Sequence, residues 1–292
     1  MDGKSIVAQG EAAEPQSWPD RCLRYTTMTD STYPPLAIVD LHSHLVPDVD
    51  DGTTTVAESL TALAGLYQEG VRVAVITPHL LVPHLGTDAA IDRELELHRR
   101  AFDDLSAACA AHDDLPSIAL GQEILAPDAA AVRRVVRRND IGLANGRFLL
   151  VEFGFDLQGN HNDVVREVHG AGRQIVIAHP ERYRYLEGHN PLEVMRTWQD
   201  LGALLQVNVG SLTGHYNRSS PGSEDLAWQM IEQGLVDLLA TDHHGPRRSG
   251  VSPREARETL IARGELALAE RAMAEIPGLV ARNEPVGSRL PR

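Results

Sequence analysis

The predicted fold depends on one segment above all, Leu36-Ala37-Ile38-Val39-Asp40-Leu41-His42-Ser43-His44. Five of its first six residues are apolar, as expected for a strand that is buried on both faces. Because side chains alternate along a strand, His42 and His44 would lie on the same face where the strand ends. The segment therefore predicts a buried parallel strand that delivers two imidazoles at its carboxyl end.

Six further apolar runs of strand length follow along the chain, and helical patterns separate them. The seven predicted strands are 36–41, 71–77, 117–123, 148–153, 174–178, 203–208 and 236–241. The predicted helices are 55–69, 88–112, 128–138, 163–171, 191–201, 223–233 and 252–263. Repeated β–α units imply parallel strands joined by right-handed crossovers. This alternation alone permits either a closed barrel or an open, doubly wound sheet.

Six of the seven predicted strands end in residue types that bind metals. These residues are His42, His44, His79, Glu123, Glu152, His179, Asp242, His243 and His244. A parallel barrel carries its chemistry at the carboxyl ends of many strands, whereas an open sheet uses one crevice. A single His-x-His pair is a weak signal, but ordinary loop residues do not easily explain six strand ends together. The pattern favours an α/β barrel with a multinuclear metal site in its mouth.

Composition and charge exclude several classes of protein. The 292 residues include 27 Lys plus Arg and 41 Asp plus Glu, a net charge of −14, which argues against general nucleic-acid binding. No apolar run reaches the length of a transmembrane helix, and residues 1–35 lack the apolar region of a secretory signal. Cys22 and Cys109 offer no disulfide framework. We therefore expect a cytoplasmic protein without membrane insertion.

The chain divides into three predicted regions. Residues 1–35 form an N-terminal extension, residues 36–280 the barrel domain and residues 281–292 a C-terminal tail. The only lysine is Lys4, inside the extension. The folded region can therefore hold neither a Schiff-base lysine nor a carbamylated lysine that bridges two metals.

The motifs at the strand ends resemble the PHP superfamily (polymerase and histidinol phosphatase) over roughly residues 36–280. They are most similar to its branch of bacterial manganese-dependent protein-tyrosine phosphatases, which is linked to capsule and exopolysaccharide synthesis. The most specific motifs are His42-Ser43-His44-Leu45-Val46-Pro47 with Asp50-Asp51-Gly52, and His179-Pro180-Glu181-Arg182-Tyr183. The family's distorted (β/α)₇ barrel agrees with the seven predicted units.

The resemblance implies up to three divalent ions, with manganese as the expected metal. The first set of ligands would be His42, His44, Glu123 and Asp242, the second Glu123, Glu152 and His179, and the third Asp51, His79 and His244. Mixed nitrogen and oxygen ligands would also suit iron or zinc. The chain departs from the family at Leu80, where a second histidine is frequent, and at His243, where a small residue is usual.

The activity implied by the resemblance is hydrolysis of protein phosphotyrosine by a metal-bound hydroxide. The expected partner is a phosphotyrosine-bearing protein, such as a bacterial tyrosine autokinase of polysaccharide synthesis. Arg182, three residues after His179, is predicted to bind the phosphate. The second phosphate-binding arginine could be Arg247 or Arg248. Three tyrosines could either flank the phenyl ring or pack at the rim, namely Tyr183, Tyr185 and Tyr216.

Five alternatives to this activity differ in the residues that they require. A small-molecule phosphatase of the histidinol-phosphate type would use the same ligands, and a phosphodiesterase is disfavoured by the acidic balance. A metal-dependent amidohydrolase of the common type would need the missing bridging lysine. A barrel without activity would be expected to lack some ligands, whereas this set is complete. A cysteine phosphatase is excluded because no arginine follows Cys22 or Cys109 at the spacing of a phosphate-binding loop.

Overall fold

Parallel strands alternate with helices along the chain, and the computed structural model describes residues 36–248 and 250–287. Within these residues the strands are β1 (Ile38–Asp40), β2 (Val71–Ile76), β3 (His79–Leu80), β4 (Ser117–Leu120), β5 (Glu123–Leu125), β6 (Phe148–Glu152), β7 (Gln174–Ala178), β8 (Leu204–Asn208) and β9 (Leu238–Ala240). The helices are α1 (Val56–Gln68), α2 (Asp88–Cys109), α3 (Ala129–Arg133), α4 (Asn162–Gly170), α5 (Pro191–Asp200), α6 (Ser223–Glu232), α7 (Pro253–Ala262), α8 (Leu266–Glu270) and α9 (Ile276–Ala281). This is a mixed α/β fold.

The strands form two parallel sheets. One has the order β1-β2-β4 and the other β3-β5-β6-β7-β8-β9. The prediction of one strand over 117–123 is wrong, because the chain breaks at Gly121-Gln122 and continues in the other sheet as β5. A Cβ on Gly121 would lie 3.0 Å from the side chain of Leu143, so glycine allows the chain to pass close to Leu143 at the crossing. A similar break at Thr77-Pro78 separates β2 from β3.

Backbone hydrogen bonds join the residues that follow β1 to those that follow β9, the strand at the far edge of the second sheet. Beyond β1, His44 N donates to His243 O (2.8 Å), and Asp242 N donates to His42 O (2.8 Å). Ser43 and His243 form an isolated parallel bridge. The first and last strands are therefore neighbours at their carboxyl ends, which brings residues 200 positions apart in sequence into one place.

Helix capping and burial follow the sequence pattern in most elements. The side chains of Thr55 and Thr87 accept hydrogen bonds from the first turns of α1 and α2. All five residues of β6 and of β8 are buried, as predicted for strands covered on both faces. The predicted helix over 128–138 is wrong in its second half. After Arg133 the chain turns, and this turn buries both Val135 and Val136.

Part of the predicted domain division lies outside the described residues. Nothing is described for the extension at 1–35 or for residues 288–292 of the predicted tail. Near the start of that tail, the side chain of Asn283 accepts a hydrogen bond from Arg147 N (2.8 Å). Across residues 36–248 and 250–287, none of the helices combines the length and the apolar character that crossing a bilayer requires.

Candidate active site

One cavity of about 820 Å³ collects the side chains that the sequence predicts as metal ligands. Seven of the nine line it, namely Asp51, His79, Glu123, Glu152, His179, Asp242 and His244. The other two, His42 and His44, are fully buried and contact Glu123 and Asp242. Each of the nine belongs to at least one group of His, Asp or Glu whose ligand atoms lie within 4.8 Å of one another. Such groups could hold metal ions.

The first predicted ligand set has the spacing that a shared ion requires. His42 Nε2 lies 3.3 Å from His44 Nε2, 3.3 Å from Glu123 Oε2 and 3.4 Å from Asp242 Oδ1. His44 Nε2 lies 3.3 Å from the same two carboxylate oxygens. Charge-assisted hydrogen bonds are shorter, about 2.7–2.9 Å. Ligand atoms bonded tetrahedrally to one ion at about 2.0–2.1 Å lie about 3.3–3.4 Å apart, so these residues fit a metal.

Glu123 connects the parts of the cluster. Its Oε2 lies 2.9 Å from His79 Nδ1, and its Oε1 lies 2.9 Å from His179 Nε2. The predicted second set, Glu123 with Glu152 and His179, does not form one compact group. Glu152 groups with His79 and Glu123, whereas His179 groups with His42 and Asp242. Glu123 contacts both of these groups, as a bridging carboxylate would.

The third predicted set lies at the more exposed side of the cavity. Asp51 Oδ1 is 3.4 Å from His244 Nε2 and 3.5 Å from His79 Nε2, and His44 completes the group. His244 Nδ1 donates to the backbone oxygen of Asp242 (2.8 Å), which leaves Nε2 unprotonated in the neutral ring. The structure therefore brings Asp51, His79 and His244 together as predicted.

The cluster shifts the pKa values of its members. Burial alone would lower the pKa of His79, but the charge of Glu123 and the contact with Asp51 raise it to about 10. Burial alone would also lower the pKa of His42, but the charges of Glu123 and Asp242 raise it. Burial and the charge of Glu123 raise the pKa of Glu152 to about 7. Ligands bind metals in their deprotonated form, so a cation would replace protons that the cluster otherwise holds.

Two residues of the cluster have unusual backbone conformations. His179 has φ +35° and Asp242 has φ +52°, in the left-handed region that residues with a Cβ seldom adopt. His179 comes directly after β7, and Asp242 is the second residue after β9. The left-handed turn therefore redirects the chain at the edge of the cavity. Strain of this kind costs about 1–3 kcal/mol per residue and is concentrated at functional sites.

Asp50 is a site residue that the sequence reasoning missed. Its Oδ2 lies 2.7 Å from His44 Nδ1, and its Oδ1 accepts a hydrogen bond from Gly52 N (2.9 Å). A carboxylate on the outer nitrogen orients a ligating histidine and raises its basicity. Gly52 is required here because a Cβ would lie 1.9 Å from His44 O. The neighbouring Asp51 in the same motif was the only available signal.

The three predicted arginines differ in position. Arg182 Nη1 donates to Asp242 Oδ2 (2.6 Å), and its guanidinium lies 4.1 Å from the ring centre of Tyr216 and 5.0 Å from that of Phe155. Arg248 Nη1 donates to Asp51 Oδ2 (2.7 Å). Both arginines line the cavity. Arg247 is not among its lining residues and lies 3.5 Å from Glu58 instead.

The aromatic residues around the cavity only partly match the prediction. Tyr183 is buried, and its hydroxyl accepts from Phe153 N, while Tyr185 donates to Pro180 O (2.9 Å). Both therefore pack against the loop, whereas Tyr216 does line the cavity. The exposed ring on the cavity wall is Phe155, which no motif had indicated.

The cysteines stay outside this site. Burial raises the pKa of Cys109 to about 11, so it is not an activated thiolate. Cys22 lies outside the described residues. His243, the departure beside Asp242, accepts a hydrogen bond at Nδ1 from Gly245 N (2.9 Å), and burial lowers its pKa to about 4. A neutral His243 can therefore replace a small residue without entering the cluster.

The chain is similar to proteins of capsule synthesis. The family model for capsular polysaccharide synthesis, CpsB/CapC, matches residues 38–274. The tyrosine-protein phosphatase CpsB of Streptococcus pneumoniae is 30% identical over 216 residues, covering 71% of this chain and 83% of that protein. The tyrosine-protein phosphatase YwqE of Bacillus subtilis is 26% identical over 220 residues, covering 75% and 82%.

A solved structure supports the fold. It comes from work on YwqE of Bacillus subtilis and CpsB of Streptococcus pneumoniae, described as unique metal-dependent tyrosine phosphatases. The TM-score is 0.68 at 24% identity, and the match covers 86% of this chain and 96% of that chain. At this identity the likeness shows that the two chains share a fold.

Proposed function

Because this chain belongs to the CpsB/CapC family of capsular polysaccharide synthesis, we propose that it is a metal-dependent phosphatase acting on protein phosphotyrosine. The names of its relatives support the substrate class. The observation that carries the proposal is Arg182, a cationic fork on the wall of the cavity that collects the ligand-type side chains. A fork beside such a cluster suits the oxygens of a phosphate dianion.

The metal site would consist of nine residues, of which seven line the cavity and two, His42 and His44, are fully buried. They are His42, His44, Asp51, His79, Glu123, Glu152, His179, Asp242 and His244. We propose manganese as the resident ion, up to three per chain, although iron or zinc would also accept these ligands. When bound, such ions supply Lewis acidity and a nucleophile derived from water near neutral pH.

The protein's own side chains would orient the substrate. Arg182 is held by Asp242 and by the rings of Phe155 and Tyr216, so it loses little freedom when it contacts a phosphate. Arg248 would contact the phosphate from the Asp51 side. Phe155 presents an exposed ring beside Arg182, where the phenyl group of a phosphotyrosine would bind.

We expect Arg248 rather than Arg247 to be the second phosphate contact. Arg248→Ala should lower kcat/KM for p-nitrophenyl phosphate about 10- to 100-fold, the worth of a hydrogen bond to a charged group at about 1.5–3 kcal/mol. Arg247→Ala is the matched control, since it removes the same charge one residue away from a side chain outside the cavity. Equal losses in the two variants would contradict the assignment.

The substrate class is tested by competition between three phosphate esters. With the protein loaded with Mn²⁺, a phosphotyrosine peptide should exceed a phosphoserine peptide and histidinol phosphate in kcat/KM by at least about tenfold, or ~1.4 kcal/mol. The reason is that a phenolate leaves more readily than an alkoxide and can contact Phe155. A higher value for histidinol phosphate would make the protein a small-molecule phosphatase instead.

The wider assignments follow from the same family. We infer that residues 36–280 form one domain in which the two sheets close into a distorted (β/α)₇ barrel, flanked by residues 1–35 and 281–292. The hydrogen bonds between residues 42–44 and 242–243 support closure. We also propose a cytoplasmic location. The substrate that we propose is a bacterial tyrosine autokinase of polysaccharide synthesis, in line with the capsule role of the family.

A further inference from the structure

Two amides of β8 link two of the proposed metal ligands. Gln206 and Asn208 are two positions apart, share one face of the strand and are fully buried. Gln206 Oε1 lies 2.9 Å from His42 Nδ1, and Gln206 Nε2 donates to Asn208 Oδ1 (2.8 Å). Asn208 Nδ2 in turn donates to Asp242 Oδ2 (2.8 Å). A continuous chain of hydrogen bonds therefore runs from His42 to Asp242.

The direction of this chain is fixed from its carboxylate end. Asp242 receives the guanidinium of Arg182 at 2.6 Å, and an ionised carboxylate can only accept. Asn208 must therefore turn its NH₂ group to Asp242 and its oxygen to Gln206. Gln206 must then donate its NH₂ group to Asn208, so its oxygen faces His42. Only a protonated Nδ1 can satisfy that oxygen.

We propose that Gln206 and Asn208 are positioning residues, which together hold the His42 proton on Nδ1 and present Nε2 to the metal site. The proposal rests on the metal site proposed above. The neutral ring has one proton, so a proton on Nδ1 leaves a lone pair on Nε2. Nε2 is the atom that lies 3.3 Å from His44 Nε2 and Glu123 Oε2. The orientation of one ligand is thus set by the charge of another.

Other histidine ligands have a different acceptor on Nδ1. The chain of hydrogen bonds through Gln206 and Asn208, which we call the relay, is therefore specific to His42. His44 has the Asp50 carboxylate on Nδ1, and His244 has the Asp242 backbone oxygen. His42 is fully buried and has neither, so a side chain of β8 must provide the acceptor. A lone amide could rotate by half a turn and present its NH₂ group. Asn208 prevents this because it needs that NH₂ group as a donor.

The test measures binding of Mn²⁺ by calorimetry in four variants of the full chain. Gln206→Met keeps the volume but removes the acceptor, and Asn208→Leu removes the lock on Gln206. Each should weaken Mn²⁺ binding about 10- to 100-fold, the usual effect of losing an outer partner of a ligand. Gln206→Glu restores an acceptor for His42 Nδ1 and should bind Mn²⁺ more tightly than Gln206→Met. The double variant, Gln206→Met with Asn208→Leu, should bind Mn²⁺ about as weakly as the weaker-binding of these two single variants.

A matched control separates positioning from folding. Gln199 is another buried glutamine, which donates to Asp237 Oδ2 (3.0 Å) outside the cavity. Gln199→Met should lower the thermal midpoint of the metal-free protein as much as Gln206→Met does, yet leave Mn²⁺ affinity unchanged.

Two results would overturn the relay alone: unchanged affinity in Gln206→Met, or losses that multiply in the double variant, since independent residues behave in that way. If the unchanged protein binds no Mn²⁺, the metal site and the relay are both wrong. Loss of phosphotyrosine preference with intact binding would leave the relay standing.

Discussion

Replacing Glu123 with glutamine is expected to remove most of the bound metal and to lower kcat/KM about 10³-fold, or ~4 kcal/mol. The reason is that Glu123 contacts four imidazoles, with His42, His44 and His79 on one oxygen and His179 on the other. An amide keeps the volume of the side chain but loses the negative charge that a bridge between cations needs. Elemental analysis after Mn²⁺ loading and p-nitrophenyl phosphate hydrolysis give the two readouts.

Glu94 offers the control for this experiment. Its carboxylate lines the same cavity but belongs to none of the metal-capable groups among the described residues. Glu94→Gln removes the same charge from the same cavity and should change neither metal content nor rate by more than about twofold, a difference well below 1 kcal/mol. Glu123→Ala should match Glu123→Gln and exceed any other single ligand change. Full metal content in both Glu123 variants would contradict the bridging role of Glu123.

Arg182→Ala should retain the metal and lose about 10² in kcat/KM, or ~3 kcal/mol of transition-state stabilisation. The bound metal should stay because Asp242 keeps its contacts with the imidazoles and with Asn208. Arg182→Lys retains the charge but not the planar fork that packs between Phe155 and Tyr216, so it should recover only part of the rate. Kinetics are measured at saturating Mn²⁺, and the metal content of each variant is measured in parallel. The comparison separates loss of the Arg182 contact with phosphate from loss of metal ions.

An exposed arginine provides the comparison. Arg166 forms an ion pair with Asp163 (2.9 Å) on α4, outside the cavity. Arg166→Ala should leave the rate unchanged. Unchanged kinetics in Arg182→Ala as well would reduce Arg182 to a structural partner of Asp242 and would leave the phosphate without a known contact on that side.

The sequence could predict the convergence of the ligands because it depends on two regularities. Alternation placed His42 and His44 on one face, and parallel strands bring their carboxyl ends to one edge. The resemblance to the capsule-associated tyrosine phosphatases is confirmed by the family match over residues 38–274. The assignment of ligands to individual ions stays a prediction, because it depends on side-chain distances of a few tenths of an ångström.

The errors arose where a local pattern carries no information about tertiary contacts. The run 117–123 has the length of a single strand and holds Ile118, Ala119 and Leu120, so its local pattern does not indicate the crossing between sheets at Gly121. Arg247 and Arg248 are neighbours of the same type, and only the turn of the chain decides that Arg248 reaches Asp51. In the sequence, Phe155 is indistinguishable from any apolar loop residue. Its place on the cavity wall depends on Gly154, whose φ of +82° redirects the chain after Glu152.

The left-handed conformations of His179 and Asp242 have a consequence for how such a sequence changes over generations. At these positions folding alone would favour glycine or asparagine, which adopt positive φ at lower cost. Selection for stability and selection for the cluster therefore act in opposite directions at the same two codons. In a duplicated copy released from its chemical duty, these positions should be among the first to drift, while the apolar strands beside them would remain constrained by packing.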